Sequence, residues 1–293
     1  MTDSPLVTIA VPTFNRADLL ERCIESARDQ SYPAIEIVVC DNASTDETEA
    51  VVTRVLAGHP RVRYVRHAIN LGAIANFQAG LDLAAGEYFM WLADDDWLPD
   101  HYVERCVDAL RSDPDAILAN GDAVYFGSGR PMETEPAISL VQHSPIRRVL
   151  GYYAWVGLNA AFYGVSTTAA RRKATLDGTL GSDWVHMAQL AASGAILRAS
   201  TTIHRSRAGE SSELDRSMTR FARPIARAVA YDIRTDAAYS NLRAPTRWAL
   251  ALACAGVVYW RKGILYWREI VAARVRGTYG GRKSGVAPAG STG

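Results

Sequence analysis

The feature that most constrains the fold is an alternation, over the first 112 residues, of short apolar runs with segments whose apolar residues recur at helical spacing. Leu6 to Val11 reads as a buried strand. Ala17 to Gln30 places Leu19, Leu20, Cys23, Ile24 and Ala27 on one helical face. A second apolar strand, Ile35 to Cys40, is followed by DNASTDE, where Ser44 and Glu47 have capping-box spacing and open a helix through about Leu56. Val62 to Arg66 reads as strand, Ala73 to Ala85 as helix, Tyr88 to Leu92 as strand, and Asp100 to Arg111, after Pro99, as helix. Such a β-α-β-α-β-α-β series predicts an α/β fold: a doubly wound, mostly parallel sheet with helices on both faces. Ligands of such sheets bind beyond the carboxyl ends of the strands. That rule selects four loops: Pro12 to Arg16, Asp41 to Asp46, Asn70 to Asn76 and Ala93 to Trp97.

Later segments are less patterned. AILANGDAVYF predicts a further strand pair, Gly127 to Ser144 a loop region, and Leu150 to Gly164 an aromatic stripe (Tyr152, Tyr153, Trp155, Phe162, Tyr163) that suits either core packing or an acceptor-binding wall. Leu214 to Arg276 reads as two or three helices, and the Gly/Ser/Arg-rich end as disordered. The expected organisation is a catalytic domain over residues 1–212, a C-terminal helical appendage over 213–276 and a disordered tail over 277–293.

Charge is distributed unevenly. Residues 1–115 carry 20 Asp/Glu against 9 Lys/Arg, whereas residues 198–283 carry 6 against 17. An acidic first half argues against nucleic-acid binding there; the basic C-terminal third suits anionic lipid, a phosphorylated acceptor or the acidic half itself. The cysteines Cys23, Cys40, Cys106 and Cys254 show no C-x-x-C spacing and read as reduced core residues. MTDSPLVTIAV lacks a basic n-region and a long apolar h-region, and no run reaches the ~20 apolar residues of a membrane span. The expected location is the cytoplasm, with peripheral contact at the inner membrane face as the alternative. That contact would use Trp248, Trp260, Tyr266 and Trp267 beside Arg261, Lys262, Arg268 and Arg274; a helix pair packed on the catalytic domain, or at a dimer interface, is the competing reading.

Asp94, Asp95 and Asp96 directly follow the apolar run YFMWL. Three adjacent carboxylates repel one another unless solvent or a cation neutralises them. Mg²⁺ or Mn²⁺, which takes a couple of carboxylates with phosphate oxygens and water, is one partner; the other reading is an acidic loop that suits the dipole of the helix after Pro99. Asp41 ends its strand at the functional edge, where a carboxylate accepts hydrogen bonds from a nucleobase. Arg16 suits phosphate or a helix start, as does Asn15 beside it. No P-loop, no G-x-G-x-x-G after the first strand and no G-x-S-x-G is present, so ATP hydrolysis, nicotinamide redox chemistry and α/β-hydrolase chemistry lose their usual anchors.

In order, VTIAVPTFNRADLLERCIESARDQSYPAIEIVVCDNASTDET and NLGAIANFQAGLDLAAGEYFMWLADDDWLPD resemble the family 2 glycosyltransferases of the GT-A fold. The match is close over residues 6–112 and looser to about residue 212. Resemblance implies an inverting transfer of a hexosyl or deoxyhexosyl group from a nucleoside-diphosphate sugar, UDP or dTDP favoured, to a hydroxyl acceptor. The expected setting is cell-surface polysaccharide, glycolipid or secondary-metabolite biosynthesis, with a lipid-linked acceptor among the candidates. It implies nucleotide contacts from Pro12, Thr13, Asn15, Arg16, Asp41, Asn70, Asp94 and Asp95, and a divalent metal held by Asp94, Asp95, Asp96 and His204. The register of the metal motif stays open, since Ala93 stands where many members carry the first Asp. SDWVHMAQLAASG is similar to the family's later acidic motif, which makes Asp183 the expected general base, with Ser182 where members often have Glu. IHRSRAGESS is similar to the loop that closes over the diphosphate, which gives His204 to metal and Arg205 and Arg207 to phosphate. His186, one turn beyond Asp183, reads as a structural histidine or an acceptor-site residue. The rivals are a noncatalytic nucleotide-sugar-binding module, separated by whether Asp183 faces the cleft, and a sugar-phosphate nucleotidyltransferase, separated by pyrophosphate release.

Overall fold

Alternating side chains on the first strand feed two different cores. Val7, Ile9 and Val11 pack with Leu20, Cys23, Ile24, Val52, Val103 and Cys106, while Ala10 joins Leu81, Trp91, Tyr152, Met187 and Leu250 on the opposite face. The computed structural model describes residues 4–56, 59–127, 130–179, 181–206 and 222–275. The strands are β1 (Val7–Thr13), β2 (Ile35–Asp41), β3 (Val62–Arg66), β4 (Tyr88–Trp91), β5 (Ala116–Gly127), β6 (Arg130–Glu135), β7 (Val165–Thr167) and β8 (Ala195–Ser206). The helices are α1 (Ala17–Arg28), α2 (Thr48–Leu56), α3 (Ala73–Asp82), α4 (Tyr102–Ser112), α5 (Pro145–Trp155), α6 (Thr168–Lys173), α7 (Ser182–Ser193), α8 (Ala222–Thr235) and α9 (Ala244–Val275).

All eight strands form one mixed sheet in the order β3, β2, β1, β4, β7, β5, β6, with β8 paired to β5. The first four are mutually parallel, and β5 and β8 pair parallel; β7 and β6 join antiparallel. Because β2 and β3 lie on one side of β1 and β4 on the other, the winding reverses between β1 and β4, and the crevice past their carboxyl ends is the switch point where such sheets bind ligands.

Three local expectations change. AILANGDAVYF is one long strand rather than a strand pair: its Asn-Gly is no turn but an irregularity between Asn120 and Asp122, where a Cβ on Gly121 would lie 2.6 Å from the Thr201 carbonyl oxygen. Gly127 to Ser144 contains β6, whose residues are mostly exposed and therefore carry little apolar pattern. The Ser44/Glu47 capping box is not formed; Ser44 Oγ accepts from Asn15 N at 2.9 Å, and Asp46 Oδ1 accepts from Thr48 N at the start of α2.

The C-terminal helices share the second core with the sheet, contributing Ile225, Val229, Ile233, Leu250, Ala251, Cys254 and Val258. Arg261 Nη1 donates to the carbonyls of Tyr153 and Val156 at 3.1 and 3.0 Å, so part of the expected basic face serves to tie α9 to the end of α5. The expected boundary at residues 212 and 213 and the tail from 277 lie outside the described residues. All four cysteines are free and buried. Among the described residues no helix is long and apolar enough to cross a membrane.

Candidate active site

The loops after β1 and β2 brace each other. Asn15, held in the left-handed region at φ 52°, accepts at Oδ1 from Thr45 N (2.7 Å), and Asp46 Oδ2 accepts from Ala17 N (3.1 Å), a helix-start donor of α1. Pro12 lies buried in β1 opposite Cys40, and Thr13 pairs with Asp41, its carbonyl accepting from Asn42 N and Asn76 Nδ2. Asn70 Oδ1 accepts from Asn42 Nδ2 and from Gly72 N, both at 2.8 Å, which fixes the turn into α3. Asn15 and Asn70 thus shape loops here, and the rim they shape exposes Phe14 and Leu71.

Asp41 is fully buried: Oδ1 accepts from Ser44 N at 2.9 Å and Oδ2 from the Tyr64 hydroxyl at 2.5 Å, with Arg66 Nε at 3.4 Å. In this arrangement it stabilises its own turn, and both oxygens face protein donors.

The acidic triplet divides in two. Asp94 and Asp95 converge on a single nitrogen, Arg16 Nη1, at 3.3 and 3.0 Å. This joins the loop after β1 to the loop after β4 across the switch point. Burial, opposed by Arg16 and reinforced by Asp95, lifts Asp94 to about 7. Two nearly buried carboxylates aimed at one positive atom, with only oxygen donors, fit a hard cation that completes its shell with phosphate oxygens and water. Among the described residues no cluster of three His, Cys, Asp or Glu side chains is arranged to hold a metal, so the fit is to a two-carboxylate site of that kind.

Asp96 is turned elsewhere: Oδ2 accepts from Arg205 Nε at 2.8 Å and Oδ1 from Ser206 N at 2.9 Å. Both its oxygens clamp the end of β8 to the acidic loop, so acting as a metal ligand would require Asp96 to give up one of these partners. Arg205 shares this arrangement. Its guanidinium lies 4.0 Å from the centre of the Tyr163 ring and pairs with Asp96, which holds the end of β8 in place. His204 and Arg205 are consecutive on β8 and point to opposite faces. The His204 ring packs against Trp97 and Phe126, and burial with the Arg22 charge nearby holds it below the usual histidine range. Its Nδ1 is buried and has no hydrogen-bond partner among the described residues. Arg207 lies outside the described residues.

Asp183 stands in the first turn of α7, after Gly181 at φ 83°. Its Oδ2 accepts from Asn159 Nδ2 at 2.9 Å, and Asn159 Oδ1 in turn accepts from the Tyr152 hydroxyl at 2.9 Å. Asn159 is 2% exposed and left-handed at φ 62°, a conformation Asn tolerates better than most residues. Tyr163 connects this carboxylate to the acidic loop. Burial, offset by Arg205 and reinforced by the charges of Asp96, Asp95 and Asp183, pushes its phenol up to about 12. Nothing in the sequence singled out Asn159, whose role rests on a positive φ; Tyr152 and Tyr163 stood out only as members of a stripe. His186 is fully buried, in ring contact with Trp91 and Phe162, and is structural.

A half-parallel sheet with converging carboxylates at its switch point, completed by a carboxylate on a later helix, defines a GT-A-type α/β protein. The chain belongs to the family described as Glycosyl transferase family 2, whose model matches residues 8–177. It is 37% identical to a chondroitin synthase of Escherichia coli over 109 residues, which are 37% of this chain and 16% of that protein. It is 39% identical over 95 residues to a Campylobacter jejuni GalNAc(5)-diNAcBac-PP-undecaprenol beta-1,3-glucosyltransferase, covering 32% of this chain and 31% of that one. The chain thus spans less than a third of either relative. In three dimensions it is similar to S. aureus TarS 1–349 in complex with UDP-GlcNAc, with a TM-score of 0.61 and 17% identity over 84% of this chain and 70% of that chain. It is also similar to the Pyrobaculum calidifontis mannosyltransferase PcManGT in complex with GDP-Man and Mn²⁺, with a TM-score of 0.57 and 20% identity over 94% and 84%.

Proposed function

We propose that the chain transfers a sugar, with inversion, from a nucleoside-diphosphate sugar to a hydroxyl group of an acceptor. The observation that carries this reading is the pairing of Asp183, held by Asn159 at the start of α7, with an acidic loop whose Asp94 and Asp95 converge on Arg16 at the switch point. The acceptor oxygen forms a bond to the anomeric carbon as the bond from that carbon to the diphosphate breaks; the acceptor proton passes to Asp183, and the nucleoside diphosphate departs. Asp94 and Asp95 are the residues to hold Mg²⁺ or Mn²⁺, which when bound supplies charge neutralisation of the leaving diphosphate. Arg16, now shared between those carboxylates, is the cation placed to turn to phosphate, and Arg207 remains a second candidate. UDP or dTDP is the favoured donor nucleotide, from the position of Asp41. Reading a base would require Asp41 to give up part of its Ser44 and Tyr64 bonds. The nucleotidyltransferase alternative is disfavoured by the Phe-Asn-Arg loop after β1, which is not Gly-rich.

A thermal-shift titration with UDP, dTDP, GDP and CDP, each with and without Mn²⁺, tests the donor site. One nucleotide should stabilise wild type and Asp183→Asn in a metal-dependent manner and leave Asp95→Ala unmoved. No response from any of the four in folded protein would sink the donor-site assignment. Asp183→Asn should bind donor while losing about 10²–10⁴-fold in transfer.

For the C-terminal third we propose peripheral contact with an anionic membrane surface, as a lipid-linked acceptor requires. The support is the outer face of α9, where Trp248, Leu252, Tyr259 and Trp260 are exposed, beside exposed Tyr231 on α8.

A further inference from the structure

One carboxylate grips both neighbours of Asn159. Glu135, the last residue of β6, accepts at Oε1 from Leu158 N at 2.9 Å and at Oε2 from Ala160 N at 3.3 Å. Asn159 sits between those two amides at φ 62°, its own carbonyl accepting from Phe162 N at 3.0 Å. Two acceptor oxygens in one rigid plane suit two N–H groups that straddle a residue. A left-handed residue other than glycine persists only where its surroundings over-determine it, and Glu135 supplies that constraint here.

Glu135 is itself fixed to the sheet. It pairs with Ala123 of β5, and the hydroxyl of Tyr125, two residues along on the same face, donates to its Oε2 at 2.9 Å. Just beyond it, Ala137 N donates to Asp122 Oδ1 at 2.8 Å, and Ile138 exchanges two hydrogen bonds with the Asn120 side chain at 2.8 and 3.0 Å. The turn after α5 fits closely on the carboxylate: a Cβ on Gly157 would lie 2.8 Å from Glu135 Oε1. From this anchor the contacts run through the backbone around Asn159 to its side-chain amide, which donates to Asp183 Oδ2 at 2.9 Å.

We propose that Glu135 is a positioning residue for the transfer, holding Asn159 left-handed so that its amide meets Asp183. The proposal rests on the transferase reading above and adds a residue that acts on the base through Asn159. A hydrogen bond to a carboxylate favours its charged form, the form that takes the acceptor's proton. The sign of the effect separates this role from plain electrostatics. Removing the Glu135 charge by itself would make Asp183 easier to ionise, whereas releasing the Asn159 amide makes it harder.

The test is an NMR titration of full-length protein carrying isotope-labelled aspartate carboxyls, the Asp183 signal being the one lost in Asp183→Asn. Tyr152, Tyr153 and Tyr163, whose phenols are raised first by burial and further by the Asp183 charge, stay neutral across the carboxylate range. Asn159→Ala gives the full effect of the missing amide, a rise of the Asp183 midpoint by about one pH unit. Glu135→Gln, whose amide nitrogen cannot accept from a backbone N–H, should move it in the same direction. Gly157→Ala should do so with no change of charge, because the new Cβ displaces the carboxylate. In the Asn159→Ala background, Glu135→Gln should bring no further rise. The thermal shift induced by UDP, dTDP, GDP or CDP with Mn²⁺ should be the same in Glu135→Gln and Gly157→Ala as in wild type. A midpoint that stays or falls in either variant that folds overturns the proposal, as does a further rise in the Asn159→Ala background. So does a nucleotide response lost in a folded variant, which would place Glu135 in the general structure of the donor site. Failure of wild type to respond to any nucleotide removes the transferase reading instead, and with it the transfer that Glu135 would serve, even where the midpoints move as expected.

Discussion

Asn159 ties a carboxylate to a tyrosine through a single side chain. Its amide donates to Asp183 and its carbonyl is fixed by Tyr152, so the side chain cannot turn without breaking both bonds. Asn159→Asp keeps the shape but sets a second carboxylate against Asp183. Like charge favours the protonated form, so the acidic limb of the pH-rate profile should move to higher pH and kcat should fall by about tenfold. A role in folding alone would leave the position of that limb unchanged. At the same scale, the sequence made part of the site legible. Arg16, Asp94, Asp95 and Asp183 announce themselves by carrying charge at strand or helix ends. It did not separate Asp96 and Arg205 from the others, because a buried ion pair and a ligand set use the same residue types, and only geometry shows which charges neutralise each other.

At the scale of elements, the pairing of β5 with β8 delivers Arg205 to Asp96, and Gly121 is what allows the close approach to Thr201. Gly121→Ala should cost about 1–3 kcal/mol in chemical denaturation and lower donor affinity along with stability. The segment AILANGDAVYF suggests a strand pair because local sequence does not distinguish two short strands from one long strand with an irregularity at Gly121. The parallel half was legible because β1, β2 and β4 are buried on both faces and read as apolar runs, with β3 alternating beside them; exposed β6 was not. Helix α8 carries a further consequence. Asp232, buried against α7 with Gln189 Nε2 donating to its Oδ1 at 2.6 Å, is pushed up to about 7, first by burial and further by Asp236. Its folded value exceeds its unfolded one, so the folded state retains a proton that the unfolded chain releases, and stability is lost as pH rises from about 4 to 7. Asp232→Asn preserves the acceptor for Gln189 and should flatten that part of the curve, raising Tm at pH 8 more than at pH 5.

For the molecule as a whole, the uneven charge of the sequence separates into an acidic site-bearing half and a basic helical third packed into the same core. Exposed aromatic residues on α8 and α9 predict sedimentation with vesicles containing anionic lipid at low salt, weakened at high salt, and reduced by Trp248→Ser with Trp260→Ser. Equal recovery in the supernatant with anionic and neutral vesicles would remove the membrane proposal. The clamp between Asp96 and Arg205 has an implication for synthesis. The two residues are 109 positions apart, so the acidic loop emerges from the ribosome long before the guanidinium that neutralises its innermost charge. An incomplete chain that has already made β1 to β4 carries the donor-side motifs without their final counter-ion. The innermost charge of that loop is thus compensated only after β8 has been made, so its final geometry waits on a strand from a distant part of the chain.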